Sequence, residues 1–151
     1  MKITIHADGS CFNGDGRMGL GIAYFADDSL EPFQTQSINK HERIGTSNQA
    51  EYLAIINALC GIKRLRNIEF FEVIEIFSDS EIVINQINGM YKTNSEELKA
   101  LYTEVQRLLK TFPEVTINFC WCPRTNERQK IVDKLSKKAN PYFIHKKKYG
   151  F

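Results

Sequence analysis

The chain has 151 residues, 42% of them apolar and 25% charged, with a formal net charge of +2. That length suits one domain with a single substantial core, and the composition excludes wholesale disorder. So small a charge names no partner, and the basic clusters at Lys63, Arg64 and Arg66, at Lys137 and Lys138, and at Lys146 to Lys148 read by default as solvated faces.

"KITIHAD" alternates Ile3, Ile5 and Ala7 against Thr4, His6 and Asp8, which predicts a strand. "FNGDGRMG" is a glycine-rich turn, "LGIAYFA" a second strand, and "ADDSLEP" turns into a third over Gln34 to Ile44. Three strands on short turns form an antiparallel meander. The period then changes, predicting a helix over Ser47 to Leu65, a strand "FEVIEIF", helices over Ser80 to Ile87 and Ser95 to Thr111, a strand "EVTINFCW", and a last helix over Asn126 to Ala139. Strands separated by helices imply right-handed crossovers and parallel pairing. The expected fold is α/β, with a mixed sheet of five strands. Residues 1–140 are expected to form one domain, followed by a basic tail over 141–151.

Other signals narrow the class. Gly14, Gly16 and Gly19 satisfy G-x-G-x-x-G but join two strands, whereas a dinucleotide site needs a helix N-terminus directly after the glycines. Cys11, Cys60, Cys120 and Cys122 lack zinc or redox spacing, and reduced thiols are expected. No apolar run approaches membrane-spanning length, and Met1 leads straight into a strand, so a soluble cytoplasmic protein, a monomer, is the expectation.

Three carboxylates lie where strand ends and helix starts would meet. Asp8 stands toward the end of the first strand, Asp79 closes the fourth, and Glu51 opens the first helix on the face of Ile55, Ala58 and Ile62. Each has an ordinary alternative. Asn48 and Glu51 suit a capping box, as do Ser78 and Glu81 with Asp79 a favourable first-turn charge, and Asp8 suits a turn before Gly9. Together they read differently, because carboxylates about 5 Å apart repel by roughly 3 kcal/mol per pair at an effective dielectric near 20. Converged acidic oxygens favour a hard cation such as Mg²⁺ or Mn²⁺, and carboxylate-held metal pairs recur in phosphodiester cleavage.

"HADGSCFNG", "GTSNQAEYLAIINAL" and "IFSDSEIVINQINGMYK", in this order and at these spacings, resemble type 1 ribonuclease H over nearly the whole chain. The resemblance implies the ribonuclease H-like fold, three antiparallel strands then two parallel, with helices on both faces. It implies four catalytic, metal-holding carboxylates: Asp8, Glu51, Asp79 and, as candidate fourth, Asp133. Asp8 would bridge two ions, with Glu51 and Asp79 on one and Asp133 on the other. The implied reaction is cleavage of the RNA strand of an RNA–DNA hybrid, leaving a 5′-phosphate and a 3′-hydroxyl. Gly9, Ser10, Asn13, Asn48 and Gln49 stand at or near positions that read 2′-hydroxyls in the family, and Thr46 and Asn48 resemble its DNA-phosphate pair.

The chain also departs from that pattern. Asp133 lies seven residues after Asn126, where many members use four, and Lys130 fills that slot. Asp133 falls roughly opposite the stripe of Val132, Leu135 and Ala139, where pairing with Lys137 at i+4 is the ordinary alternative. "CWCPRTNER" has no histidine, and Arg124 is either a phosphate contact or a surface arginine. The basic handle before the long helix is missing, since "NGMYKTNSEELKAL" runs directly on. A catalytically silent binding module and a nuclease for another nucleic acid remain the alternative functions.

Overall fold

Alternation of apolar and polar residues carries β1 (Ile3–Cys11) past the expected end, and β2 (Arg17–Ala26) returns beside it. The computed structural model describes residues 2–11, 16–65 and 72–139, with the backbone alone at 42 and 43. Asn13, Gly14, Arg66 and the tail from residue 140 lie outside the described residues. β3 (Gln34–Ile44) has the predicted bounds. The other elements are α1 (Ser47–Ile62), β4 (Val73–Ser78), α2 (Glu81–Ile87), α3 (Glu96–Leu109), β5 (Thr116–Trp121) and α4 (Glu127–Ala139). Residues 88–95 connect α2 directly to α3.

The sheet order is β3-β2-β1-β4-β5. β1–β2 and β2–β3 are antiparallel, and β1–β4 and β4–β5 parallel. α1 packs on the sheet and against α3, while α4 crosses β2, β1 and β3. The main core gathers Ile3, Ile5 and Ala7 of β1 with α1, and a smaller cluster of Ala23, Phe25 and Val132 lies with α4. β1 is therefore covered on both faces, and all of Ile3 to Asp8 is buried. Each fully buried Leu or Ile contributes about 1.5–3 kcal/mol.

One expectation about α1 needs correction. The sequence suggests a single apolar face through Glu51, Ile55, Ala58 and Ile62, flanked by Tyr52 and Leu59, but Ala50, Leu53, Ala54 and Gly61 are buried as well. A helix held between a sheet and a second helix buries most of its circumference. Its buried tyrosine pairs with a polar group, Tyr52 Oη donating to Gln86 Oε1 at 2.8 Å, as a sequestered hydroxyl requires.

β1 and β4 pair from Ile3↔Ile74 to His6↔Phe77. Two residues further on, the same register sets Asp8 level with Asp79, where the parallel strands part. In open α/β sheets, ligands gather beyond the carboxyl ends of strands at such a point.

Candidate active site

Glu51 reaches this point because α1 starts almost in contact with β1. A Cβ on Gly9 would stand 2.2 Å from the carbonyl carbon of Ala50 and 2.6 Å from the Glu51 nitrogen, so only glycine lets the first turn of α1 sit there. Gly9 N–H then donates to Glu51 Oε1 at 3.1 Å, and Ser78 Oγ–H donates to Oε2 at 3.1 Å. Both carboxylate oxygens of a side chain only 8% exposed are thereby bonded.

These bonds decide between overlapping helix caps. Asn48 does not cap α1 with Glu51; the N-cap is Thr46, whose Oγ1 accepts from Gln49 N–H while Gln49 Oε1 accepts from Thr46 N–H. Ser78 does not cap α2 with Glu81; Ser80 does, its Oγ accepting from Val83 N–H. Glu51 and Ser78 are committed to each other across the core, so Thr46 and Ser80 close the helices instead. Asp79 precedes the α2 cap rather than lying in its first turn.

One oxygen each of Asp8, Glu51 and Asp79 lie within 4.8 Å of one another. Asp8 is 4% exposed, and its Oδ2 accepts from Ser136 Oγ of α4 at 3.0 Å. Burial, then the charges of Glu51 and Asp79, push the Asp8 carboxyl far above the usual carboxylate range. Burial and Asp79 raise Glu51 against the opposing hydrogen bonds from Asp8, Gly9 and Ser78. Asp79 is raised mainly by burial, with Arg124 opposing. Three acids that resist ionising together form a hard, oxygen-only donor set, which fits a divalent cation such as Mg²⁺ or Mn²⁺ and fits a soft metal poorly.

Asp133 stands outside this group of three. Its Oδ2 pairs with Lys137 Nζ at 3.0 Å, its side chain is 28% exposed, and its charge still reaches Asp79 and adds to the rise there. It is not opposite the buried stripe, because the residues α4 buries are Gln129, Val132, Ser136 and Ala139. Asp133 borders that stripe, one turn before Ser136.

The remaining candidates surround the acids. Thr46 is exposed and Asn48 and Gln49 are half-buried, all in the opening turn that carries Glu51. Arg124 is 86% exposed, with its Nε 3.8 Å from Asp79 Oδ2. Ser10 Oγ–H points to carbonyls, Ser136 O at 3.2 Å and Gly19 O at 3.5 Å. Trp121 is half-exposed and donates from Nε1 to Asp79 O at 3.2 Å. The sequence reading missed Ser78 and Ser136, although Ser136 left a trace as a hydroxyl between Val132 and Ala139 on an apolar stripe.

Behind the site, Gln129 ties α4 to β1, donating to Ala7 O at 3.0 Å and meeting His6 Nδ1 at 2.9 Å. His6 stacks on Phe77, and burial holds its imidazole down to about 4. The four cysteines are free thiols. Among the described residues no helix is long and apolar enough to cross a membrane.

A family model described as reverse transcriptase-like matches residues 7–139. Bifunctional protein Rv2228c of Mycobacterium tuberculosis (strain H37Rv) is 32% identical over 142 residues, 92% of this chain and 35% of that protein. Ribonuclease HI of Halobacterium salinarum is 37% identical over 84 residues, 55% of this chain and 39% of that protein. The chain thus spans between a third and two fifths of the length of these curated relatives. The solved N-terminal RNase H domain of Rv2228c superposes with a TM-score of 0.76 at 26% identity, over 97% of this chain and 98% of that one. LC11-RNase H1 in complex with an RNA/DNA hybrid superposes with a TM-score of 0.81 at 24% identity, over 95% of this chain and 99% of that one. With the five-stranded mixed sheet, the direct α2–α3 connection and the order of the acidic segments, the match over residues 7–139 places this chain in the reverse transcriptase-like family, as a compact member of type 1 ribonuclease H.

Proposed function

We propose that this chain is a divalent-metal-dependent endonuclease that hydrolyses the RNA strand of RNA–DNA hybrids and leaves 5′-phosphate and 3′-hydroxyl ends. The observation that carries the reading is the convergence of Asp8, Glu51 and Asp79 within 4.8 Å where β1 and β4 part. The ribonuclease HI relative and the hybrid-bound structural neighbour support the choice of substrate.

Asp8, Glu51 and Asp79 would hold one cation, and Asp8 with Asp133 a second; four carboxylates then offset the charge of two dications. When bound, Mg²⁺ or Mn²⁺ supplies the Lewis acidity that activates a water and stabilises the leaving 3′ oxygen. The protein's part is to hold the donors in place beforehand. Gly9 and Ser78 fix both oxygens of Glu51, and α4 fixes one of Asp8. Arg124, long and exposed beside Asp79, is suited to a phosphate of the cleaved strand.

Recognition rests on the shallow minor groove, where 2′-hydroxyls distinguish RNA from DNA. The Gly9 N–H and the Ser10 hydroxyl are engaged within the protein. In this reading the amides of Asn48 and Gln49, with Asn13, meet the ribose hydroxyls, and Thr46 with Asn48 meets a DNA phosphate.

Incubation of the protein with labelled RNA–DNA hybrid, double-stranded RNA and duplex DNA, each with Mg²⁺, Mn²⁺ or EDTA, tests the proposal. Cleavage confined to the hybrid and abolished by EDTA is expected. Equal cutting of duplex DNA, or an intact hybrid under every condition, would overturn it.

A further inference from the structure

The buried stripe of α4 contains a serine at the point nearest the acidic cluster, and the sheet is built to bring it close. Gly21 of β2 is the register partner of Asp8. A Cβ there would stand 2.3 Å from Val132 O and 2.7 Å from the Ser136 nitrogen, so α4 rests on bare backbone at this position. Side chains of the sheet then bind carbonyls along the last described turns of α4. Ser37 Oγ–H donates to Leu135 O at 2.8 Å, Ser10 Oγ–H to Ser136 O at 3.2 Å, and the His41 ring to Ala139 O at 2.7 Å. These bonds fix the rotation and height of α4 over β1.

Held so, Ser136 is fully buried, and its hydroxyl has two acceptors: Asp8 Oδ2 at 3.0 Å and the carbonyl of Asp133, one turn earlier, at 2.9 Å. A serine inside a helix ordinarily bonds only to its own preceding turn. A carboxylate is the stronger acceptor of the two.

We propose that Ser136 is a positioning residue for Asp8: seated by the close approach of α4 at Gly21, its hydroxyl anchors one oxygen of the carboxylate, so that Asp8 meets a divalent cation already oriented. The proposal rests on the functional reading above. Outer hydrogen bonds of this kind orient ligands and raise affinity for the ion. The same hydroxyl touches the carbonyl of Asp133, so one residue couples the aim of Asp8 to the turn carrying the fourth acid.

The test titrates Mg²⁺ alone against the full chain and follows thermal unfolding, with hybrid cleavage measured in parallel. In Ser136→Ala the Mg²⁺ midpoint should rise about tenfold, the effect of losing a hydrogen bond to a charged group. The KM for hybrid should not move, and kcat should recover at high Mg²⁺. Ser136→Cys keeps the volume but donates weakly, and should fall between wild type and Ser136→Ala. Ser37→Ala loosens the same helix without touching Asp8; it should lower the Tm and leave the Mg²⁺ midpoint within about twofold of wild type. An unchanged midpoint in both Ser136 variants, or an equal shift in Ser37→Ala, would overturn the role of Ser136 while leaving the nuclease reading intact. A wild type that neither responds to Mg²⁺ nor cuts hybrid would instead remove the functional reading, and this inference with it.

Discussion

Glu51 and Asp133 are both acids on helices that flank β1, one on each face of the sheet, and they are held in opposite ways. Glu51 is 8% exposed, has a hydrogen bond on each oxygen, and is delivered by a helix that nearly touches the β1 backbone at Gly9. Asp133 keeps 28% of its side chain exposed, and it pairs with the half-exposed head of Lys137. Burial and a neighbouring charge raise Glu51, whereas Asp133 acts on Asp79 only through space. If Asp133 serves as the proposed fourth acid, the contrast separates a preformed half of the proposed site from an adjustable half, and a preformed donor set loses less freedom when it binds an ion.

The largest effects should come from the preformed half. Asp8→Asn and Glu51→Gln are each expected to reduce hybrid cleavage by about 10³-fold, as when a group acting at the reacting centre is removed. Asp8→Asn should also raise the metal-free Tm, because it removes a carboxyl whose ionisation burial and the neighbouring acids penalise. Calorimetry without metal checks this, and a lower Tm would contradict the repulsion. At the adjustable half, Asp133→Asn should slow turnover by about tenfold. A rate within about threefold of wild type would mean that solvent or another residue completes the second ion site.

The pH dependence gives a smaller but directional effect. Asp8 and Glu51 have folded pKa values raised above their unfolded ones, so their ionisation disfavours the fold. Metal-free stability from this source is fully present below about pH 4 and is lost as pH rises through the raised values, so added Mg²⁺ should raise the Tm more at pH 8 than at pH 5. His6 acts in the opposite sense: its folded value is depressed to about 4, so its contribution is lost as pH falls below the ordinary 6.5. The difference between wild type and Asp8→Asn cancels the histidine part, and should shrink toward acid pH in metal-free melts. Smallest of all, Lys137→Met should change stability by no more than about 0.5 kcal/mol, as a partly exposed i,i+4 pair contributes little. A larger loss in a denaturation curve would show that Asp133 is held more firmly than its exposure suggests.

Much of this was legible before any coordinates. Period alone gave the element order and the full extent of β3, and parallel pairing of the first and fourth strands puts Asp8 and Asp79 side by side, as the register has it. What stayed hidden was competition between local rules and long-range contacts. Two capping boxes overlap at the start of α1, and the sequence cannot choose between Asn48 with Glu51 and Thr46 with Gln49. The choice is made by Gly9 and Ser78, which take Glu51 from 42 residues before it and 27 after it. Ser78 and Ser80 compete at α2 in the same way. The stripe of α4 was misjudged because Leu135 looks more buried than Ser136 by type, whereas the close seat at Gly21 turns Ser136 inward. Steric gaps left by glycines are visible only once another element fills them.

Trp121 is the only tryptophan in the chain, and its indole nitrogen is bonded to the carbonyl of Asp79 while half the ring faces water. The molecule therefore carries its own optical reporter at the rim of the acidic cluster. An ion or a nucleic acid arriving there would change the polarity and quenching around a single chromophore, so emission measured on the unlabelled protein could time each arrival separately, before any bond is cut.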